Sequence, residues 1–346
     1  MSRLTAIGLV AFFFLGLLTP FVWDASVYPK VVAEVPTSVG GALDGTVQAR
    51  FEEVLAERSP FMRALRPWWN GAVYDLFAET PARLVAGRDG WLFYAPSMAP
   101  VVEPLASQTF QETLAQLLRT AVTLKGSPVR YRVLVMPSKW RLYGDRLLRP
   151  RIGEKRRDVL ARAVGALAAA GIDAPELLPS MRRLKSAERP LLYPPVDSHL
   201  SQFGFGRLVT DAVAPAVGID VNEARRRLAT LPTDPDFLHV GDLVELMGLD
   251  LTTPWGRRLA YREKGFKLPP PANRAGSDVI LLGDSFTVHM DALLPRLIQA
   301  VTGLSVDARY SDGKEQGHED ELFAEYAGRA PKLVLVVLTE RRFANE

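Results

Sequence analysis

The chain has 346 residues, with 42 lysines and arginines against 39 acidic residues, and its net charge of +3 is evenly spread. That balance argues against nucleic acid as a partner. The complete absence of cysteine excludes disulfides, thiolate metal sites and a cysteine nucleophile. An apolar fraction of 48% is ample for one large or two smaller packed domains.

Leu4 to Trp23 carries no charged side chain. At about 1.5 Å per residue a helix of that length reaches across a hydrocarbon core of about 30 Å. Arg3 precedes it and Asp24 follows, so the positive-inside rule leaves the N-terminus in the cytoplasm and exports the rest. A cleaved signal peptide is the rival reading, but no good Ala-x-Ala site follows the apolar run. The expected organisation is a signal anchor over residues 1–25, a linker with packing helices over 26–79, and a catalytic domain over 80–346. A short helix is expected at Phe51–Ala56. Arg58–Ala78 holds Phe61, Leu65, Trp68, Trp69, Tyr74 and Phe77, which reads as a packing helix or a pair of short ones.

From Val85 onward the pattern becomes an alternation of strands and helices. Val85–Tyr94, with its Gly-x-x-Gly turn, reads as a hairpin or a first strand. Gln108–Lys125 is an amphipathic helix, Tyr131–Met136 a buried strand and Arg156–Ala170 a second helix. Ile172–Leu178 is a candidate edge strand. Leu191–Ser201 is a loop that ends in an N-cap serine and feeds a helix to about Val217. Asn222–Asp250 reads as an inserted helical piece and Trp255–Ser277 as a basic loop. Val279–Leu282 runs into a Gly-Asp-Ser corner and then a helix over Val288–Thr302. A short strand at Val306–Tyr310, a helix at Glu319–Ala327 and a last buried strand at Lys332–Leu338 complete the chain. Strands connected by helices in this order define an α/β/α sandwich with a mainly parallel sheet.

In such sheets ligands bind at the carboxyl ends of the strands, where Ser285 falls. A serine at a strand-to-helix corner can attack a carbonyl, and its own N–H can face the oxyanion. The competing explanation is that Asp284 or Ser285 only caps the helix. A hydroxyl nucleophile needs a base near neutral pKa and a carboxylate to orient that base. Asp197 and His199 share one loop and are the pair expected to serve. His289, four residues past Ser285, is an alternative base. His239 reads as a buried or edge residue, and His318 lies on a solvated acidic face. No metal or organic cofactor is expected.

Gly283-Asp284-Ser285-Phe286, preceded in the chain by Asp197-Ser198-His199, resembles the SGNH-hydrolase-like domain of the alginate O-acetyltransferase family. Gly87–Phe93, Pro137-Ser138-Lys139 with Tyr143, Gly241-Asp242-Leu243 and Glu340-Arg341 resemble further family elements. The resemblance implies acetyl transfer to hydroxyls of an exported polysaccharide, with Ser285 as nucleophile, His199 as base and Asp197 as its orienter. It also makes Tyr310, Gly313, Lys139 and Tyr143 oxyanion or substrate candidates. A membrane-bound acyltransferase is the implied acetyl donor, and the location is the periplasm, anchored to the inner membrane through residues 4–23. The chain departs from the family at Leu200, where an aromatic residue is usual. Two alternatives use the same features: a polysaccharide acetylesterase or deacetylase with the same triad, and a non-catalytic polysaccharide-binding scaffold.

Overall fold

The computed structural model describes residues 22, 24–35, 45–101, 103–148, 152–187, 191–270, 276–310, 326 and 330–344. The expected membrane segment, apart from Val22, lies outside them, as do Gly313, His318 and almost all of the helix expected at Glu319–Ala327. No helix among the described residues is long and apolar enough to cross a membrane.

Among the described residues the first named helices are α1 (Tyr28–Glu34), α2 (Thr46–Arg58) and α3 (Pro60–Phe77). Ser59 caps α3 by accepting the Met62 N–H, and Pro60 occupies the first turn, where its missing N–H costs nothing. The single helix α3 replaces the pair that the sequence left open. An antiparallel hairpin of β1 (Leu84–Ala86) and β2 (Leu92–Tyr94) follows and stays outside the main sheet. Next come α4 (Gln108–Thr123), β3 (Arg130–Met136), α5 (Lys139–Tyr143), α6 (Glu154–Ala169) and α7 (Leu178–Ala187). Ile172–Leu178 contributes only one parallel bridge, Asp173 to Arg132 of β3, and is not an edge strand. Pro175 lacks the N–H that a longer ladder needs there.

Ser201 accepts the Gly204 N–H and starts α8 (Gln202–Leu208), which continues through a wide turn to Ala216. The inserted region holds α9 (Val221–Thr230), β4 (Phe237–His239), α10 (Asp242–Glu245), α11 (Pro254–Leu259) and β5 (Tyr261–Glu263), with β4 and β5 paired antiparallel. The stretch expected to be one basic loop therefore contains a helix and a strand. The chain closes with β6 (Val279–Gly283), α12 (Ser285–Thr302), β7 (Val306–Tyr310) and β8 (Leu333–Thr339).

The main sheet is parallel throughout, in the order β3-β8-β6-β7. Alternate residues of each strand feed opposite layers. Val133 and Val135 of β3 pack with Phe110 and Leu117 of α4 and with Val159, Ala163 and Leu167 of α6. Leu134 and Met136 face the other way, toward a core shared with Leu281, Leu335, Phe205 and the Leu294–Ile298 stretch of α12. The carboxyl ends of β3, β8 and β6 thus lie side by side, and each runs directly into a turn: Pro137-Ser138, Glu340-Arg341 and Asp284-Ser285. Glu340 ties two of these turns together. Its buried carboxylate accepts the Ser138 N–H at 3.1 Å and the Arg141 guanidinium at 2.5 Å.

The helix expected to be continuous through Val288–Thr302 is broken. His289 is extended, and Met290, Asp291 and Ala292 all have positive φ, 50–57°. Left-handed backbone costs a residue with a side chain about 1–2 kcal/mol, so the break stores strain beside the site.

Candidate active site

Two glycines let backbone segments meet at distances a side chain would forbid. At Gly283 an added Cβ would sit 2.1 Å from the Val337 carbonyl oxygen, so β6 lies tight on β8 just before the nucleophile corner. At Gly241 it would sit 2.1 Å from the Val196 carbonyl, so the 241–242 turn presses on the loop carrying Asp197.

Asp284 is buried between strand ends. One of its oxygens accepts the Thr339 N–H at 2.8 Å, and the other caps α12 by accepting the Phe286 N–H at 3.2 Å. The cap role therefore falls to Asp284, which leaves Ser285 available. Among the described residues nothing accepts the Ser285 N–H, the first amide of α12.

Ser285 Oγ lies 2.9 Å from His199 Nε2, although 86 residues separate them in the chain. His199 Nδ1 is 3.0 Å from Asp197 Oδ1, which also accepts the His199 backbone N–H at 2.8 Å. Asp197 and His199 are both buried. Burial works against a charge on either, but it is outweighed. The hydrogen bond from His199 holds the Asp197 carboxyl well below the usual carboxylate range. The Asp197 bond and the Asp242 charge raise the His199 pKa above 6.5.

Three groups surround this pair. Asp242 Oδ1 accepts the Ser198 N–H at 2.7 Å, and its Oδ2 accepts the Ser198 hydroxyl at 2.5 Å and lies 3.7 Å from His199 Nδ1. Burial, then the charge of Asp197, raises its pKa to about 6. His239 Nε2 stands 3.4 Å from Asp197 Oδ2, and His289 Nε2 3.8 Å from the same oxygen. The His289 ring stacks on that of His199, with centroids 3.9 Å apart and planes 13° off parallel. Burial and then the charge of His199 push the His289 pKa down to about 3, so it stays neutral beside the base. Two sets have ligand atoms within 4.8 Å of one another and so the spacing for a cation: Asp197 with His239 and His289, and Asp197 with His199 and Asp242. Both draw on the carboxylate that holds His199.

Sequence reasoning took His289 for a helical neighbour of Ser285. It is one: His289 keeps a helical φ of −58° and the chain leaves the helix only at its ψ of 144°, so its ring reaches His199 from the same face as Ser285. Asp242 stood in the quoted Gly-Asp-Leu triplet, which was the available signal for its place beside Asp197.

Lys139 and Tyr143, expected as oxyanion or substrate candidates, hold the histidine loop instead. Buried Lys139 donates to the carbonyls of Leu92 at 2.8 Å, Pro195 at 2.7 Å and Asp197 at 3.0 Å, which commits all three of its protons. Burial lowers its pKa to about 7 against the pull of Asp197 and Asp242. The buried Tyr143 hydroxyl accepts the Leu192 N–H at 3.1 Å, and its ring packs 4.6 Å from that of Trp91. Tyr310 pairs with Gly283 at the end of β7 and is half exposed, at the rim where Ser285 begins α12.

In this α/β/α sandwich a serine, a histidine and an aspartate stand in line at the carboxyl rim of a parallel sheet, the place where such sheets bind ligands. Residues 84–337 match the family model described as SGNH hydrolase-like domain, acetyltransferase AlgX, and the chain belongs to that family. A relative named Probable alginate O-acetylase AlgJ, from Pseudomonas aeruginosa, is 27% identical over 306 residues, covering 84% of this chain and 71% of that protein. One of the same name from Azotobacter vinelandii is 28% identical over 209 residues, covering 60% of this chain and 53% of that protein. The solved O-acetyltransferase domain of Pseudomonas putida AlgJ superposes with a TM-score of 0.56 at 20% identity, over 75% of this chain and 91% of that domain, and so shares the fold.

Proposed function

We propose that this chain is an O-acetyltransferase that passes an acetyl group through Ser285 to hydroxyls of an exported polysaccharide. The observation that carries the reading is the continuous line from the Ser285 hydroxyl through His199 to Asp197, with contacts of 2.9 and 3.0 Å.

In the first half-reaction His199 Nε2 takes the Ser285 proton as Oγ bonds to the acetyl carbon. The oxyanion forms near the Ser285 N–H at the start of α12, where the helix dipole favours negative charge. When the bond to the donor breaks, the imidazolium returns its proton to the departing group. In the second half-reaction His199 takes the proton of a sugar hydroxyl as its oxygen bonds to the acetyl carbon, and the imidazolium returns that proton to Ser285 Oγ as the acetyl–serine bond breaks. Asp197 stabilises the imidazolium in both halves. Family membership supports acetyl as the transferred group. The relatives' names support alginate, or a polysaccharide like it, as the acceptor. The uncharged segment before Asp24 supports a periplasmic enzyme tethered to the inner membrane, close to a membrane-bound acyltransferase that supplies the acetyl group.

The test is hydrolysis and transfer with a chromogenic acetyl ester, with and without oligomannuronate, comparing the wild type with Ser285→Ala. The expected result is acetylated oligosaccharide from the wild type and none from the variant. Release of acetate alone, at a rate the oligosaccharide does not change, would instead establish an esterase. Full activity in Ser285→Ala would remove the serine from the mechanism.

A further inference from the structure

Helix α3 is fastened to the domain along one side. Asn70 donates to the Met247 carbonyl at 2.6 Å, and the Trp255 indole N–H donates to Asp75 at 2.7 Å. The Trp255 ring lies directly over Gly71, where even a Cβ would collide. Arg258 pairs with Asp75, the one carboxylate of the helix. These contacts commit the Asn70–Gly71–Asp75 side and fix the rotation of α3.

What remains outside is a row of large apolar groups. Met62, Leu65, Trp69 and Leu76 follow a spacing of three, four and seven residues, so they share one stripe, with Phe77 at its edge. Trp69 is 66% exposed, Leu76 74% and Phe77 67%. Single exposed hydrophobic residues are ordinary, but a run of this kind marks an interaction surface.

We propose that α3 lies on the surface of a phospholipid bilayer, with this stripe at the boundary between headgroups and acyl chains. Three observations favour a bilayer as the occupant. The uncharged Leu4–Trp23 stretch ends beside Asp24, and the Asp24 carboxylate accepts hydrogen bonds from the Ser59 hydroxyl and the Phe61 N–H. Asp24, the residue that follows the membrane-length stretch in sequence, is therefore held at the first turn of α3. The helix exposes Arg63, while its carboxylate is turned to the domain, which suits anionic headgroups. Tryptophan beside aliphatic residues is the composition that settles at a membrane interface. The consequence is a second attachment, which holds the catalytic domain at a fixed attitude to the membrane. It does not depend on the catalytic reading.

Because the chain has no cysteine, single-cysteine labelling of the full chain is clean. Trp69→Cys, Leu76→Cys and, as control, Val122→Cys on exposed α4 would each carry an environment-sensitive fluorophore. Each protein is incorporated into vesicles of phosphatidylethanolamine and phosphatidylglycerol, with or without nitroxide on the acyl chains. The expected result is several-fold quenching at 69 and 76 and none at 122. Equal quenching at all three positions would overturn the proposal, as would failure of the full chain to join the vesicles. Blue-shifted but unquenched probes at 69 and 76 would overturn it in favour of a protein partner on this face.

Discussion

Asp197→Asn separates two jobs that a triad carboxylate usually performs together. In many triads the amide flips the histidine tautomer, and the rate falls by ~10⁴. Here Asp197 Oδ1 accepts two N–H groups, the His199 backbone and Nδ1, while Oδ2 faces two imidazole nitrogens, on His239 and His289. An asparagine is therefore directed to put its oxygen on the His199 side and its NH₂ toward rings that can accept, which keeps the productive tautomer. What is lost is the charge. A charge-assisted hydrogen bond is worth about 1–2 kcal/mol more than a neutral one, and a unit charge at about 4 Å in a partly buried site about 4 kcal/mol. These two figures overlap, so the expected loss is about 3–4 kcal/mol, a fall in kcat/KM of ~10²–10³. The pH profile carries the second signature. Activity needs neutral His199, so the wild type loses activity as pH falls through a His199 pKa raised above 6.5. With the Asp197 charge gone, burial is opposed less, and the acid limb moves to lower pH. The assay is the pH dependence of acetyl-ester turnover, with a melting curve to confirm the fold. A loss of ~10⁴ or more with an unmoved acid limb would refute the argument, because it would mean that the imidazoles do not hold the amide.

Glu340→Ala should cost about 3–5 kcal/mol in stability, since it leaves the buried Arg141 guanidinium and the Ser138 amide without their shared acceptor; an unchanged urea midpoint would contradict this. Glu263 is raised to about 7 by burial, opposed by the Gln202 N–H it accepts, so folding takes up a proton between pH 4.5 and 7 and stability falls as pH rises through that window. Glu263→Gln should therefore melt higher than wild type above pH 7, by up to about 3 kcal/mol, with the advantage vanishing toward pH 4.5; a pH-independent difference would count against the burial argument. Ala292→Gly should stabilise the protein by about 1 kcal/mol in chemical denaturation, because glycine relieves the left-handed backbone, whereas destabilisation would mean that no strain is stored there.

The legible parts of the fold were those with strong periodicity. The apolar runs of β3, β6 and β8 and the stripes of α4 and α6 marked a parallel sheet with crossover helices. The triad was legible because Ser285 stood at a strand-to-helix junction, and Asp197 and His199 in one loop just ahead of a helix. What escaped depended on close contact. Local spacing gave Lys139 and Tyr143 no assignment, and only the packed loop shows their donors and acceptors spent on backbone. The break after His289 escaped because periodicity assumes an unbroken helix, whereas Met290, Asp291 and Ala292 are left-handed. The aromatic face of α3 read as core because sequence cannot tell which side of a helix meets protein; the contacts of Asn70, Gly71 and Asp75 decide that.

The central claim is a covalent one, and mass spectrometry tests it directly. The protein is mixed with an activated acetyl ester without acceptor, quenched in acid within a turnover, digested and mapped. The account predicts one acetyl group on the peptide containing Ser285, absent in Ser285→Ala and discharged when oligosaccharide is added before the quench. An unmodified Ser285 during full turnover, or the acetyl group on another residue, would contradict it.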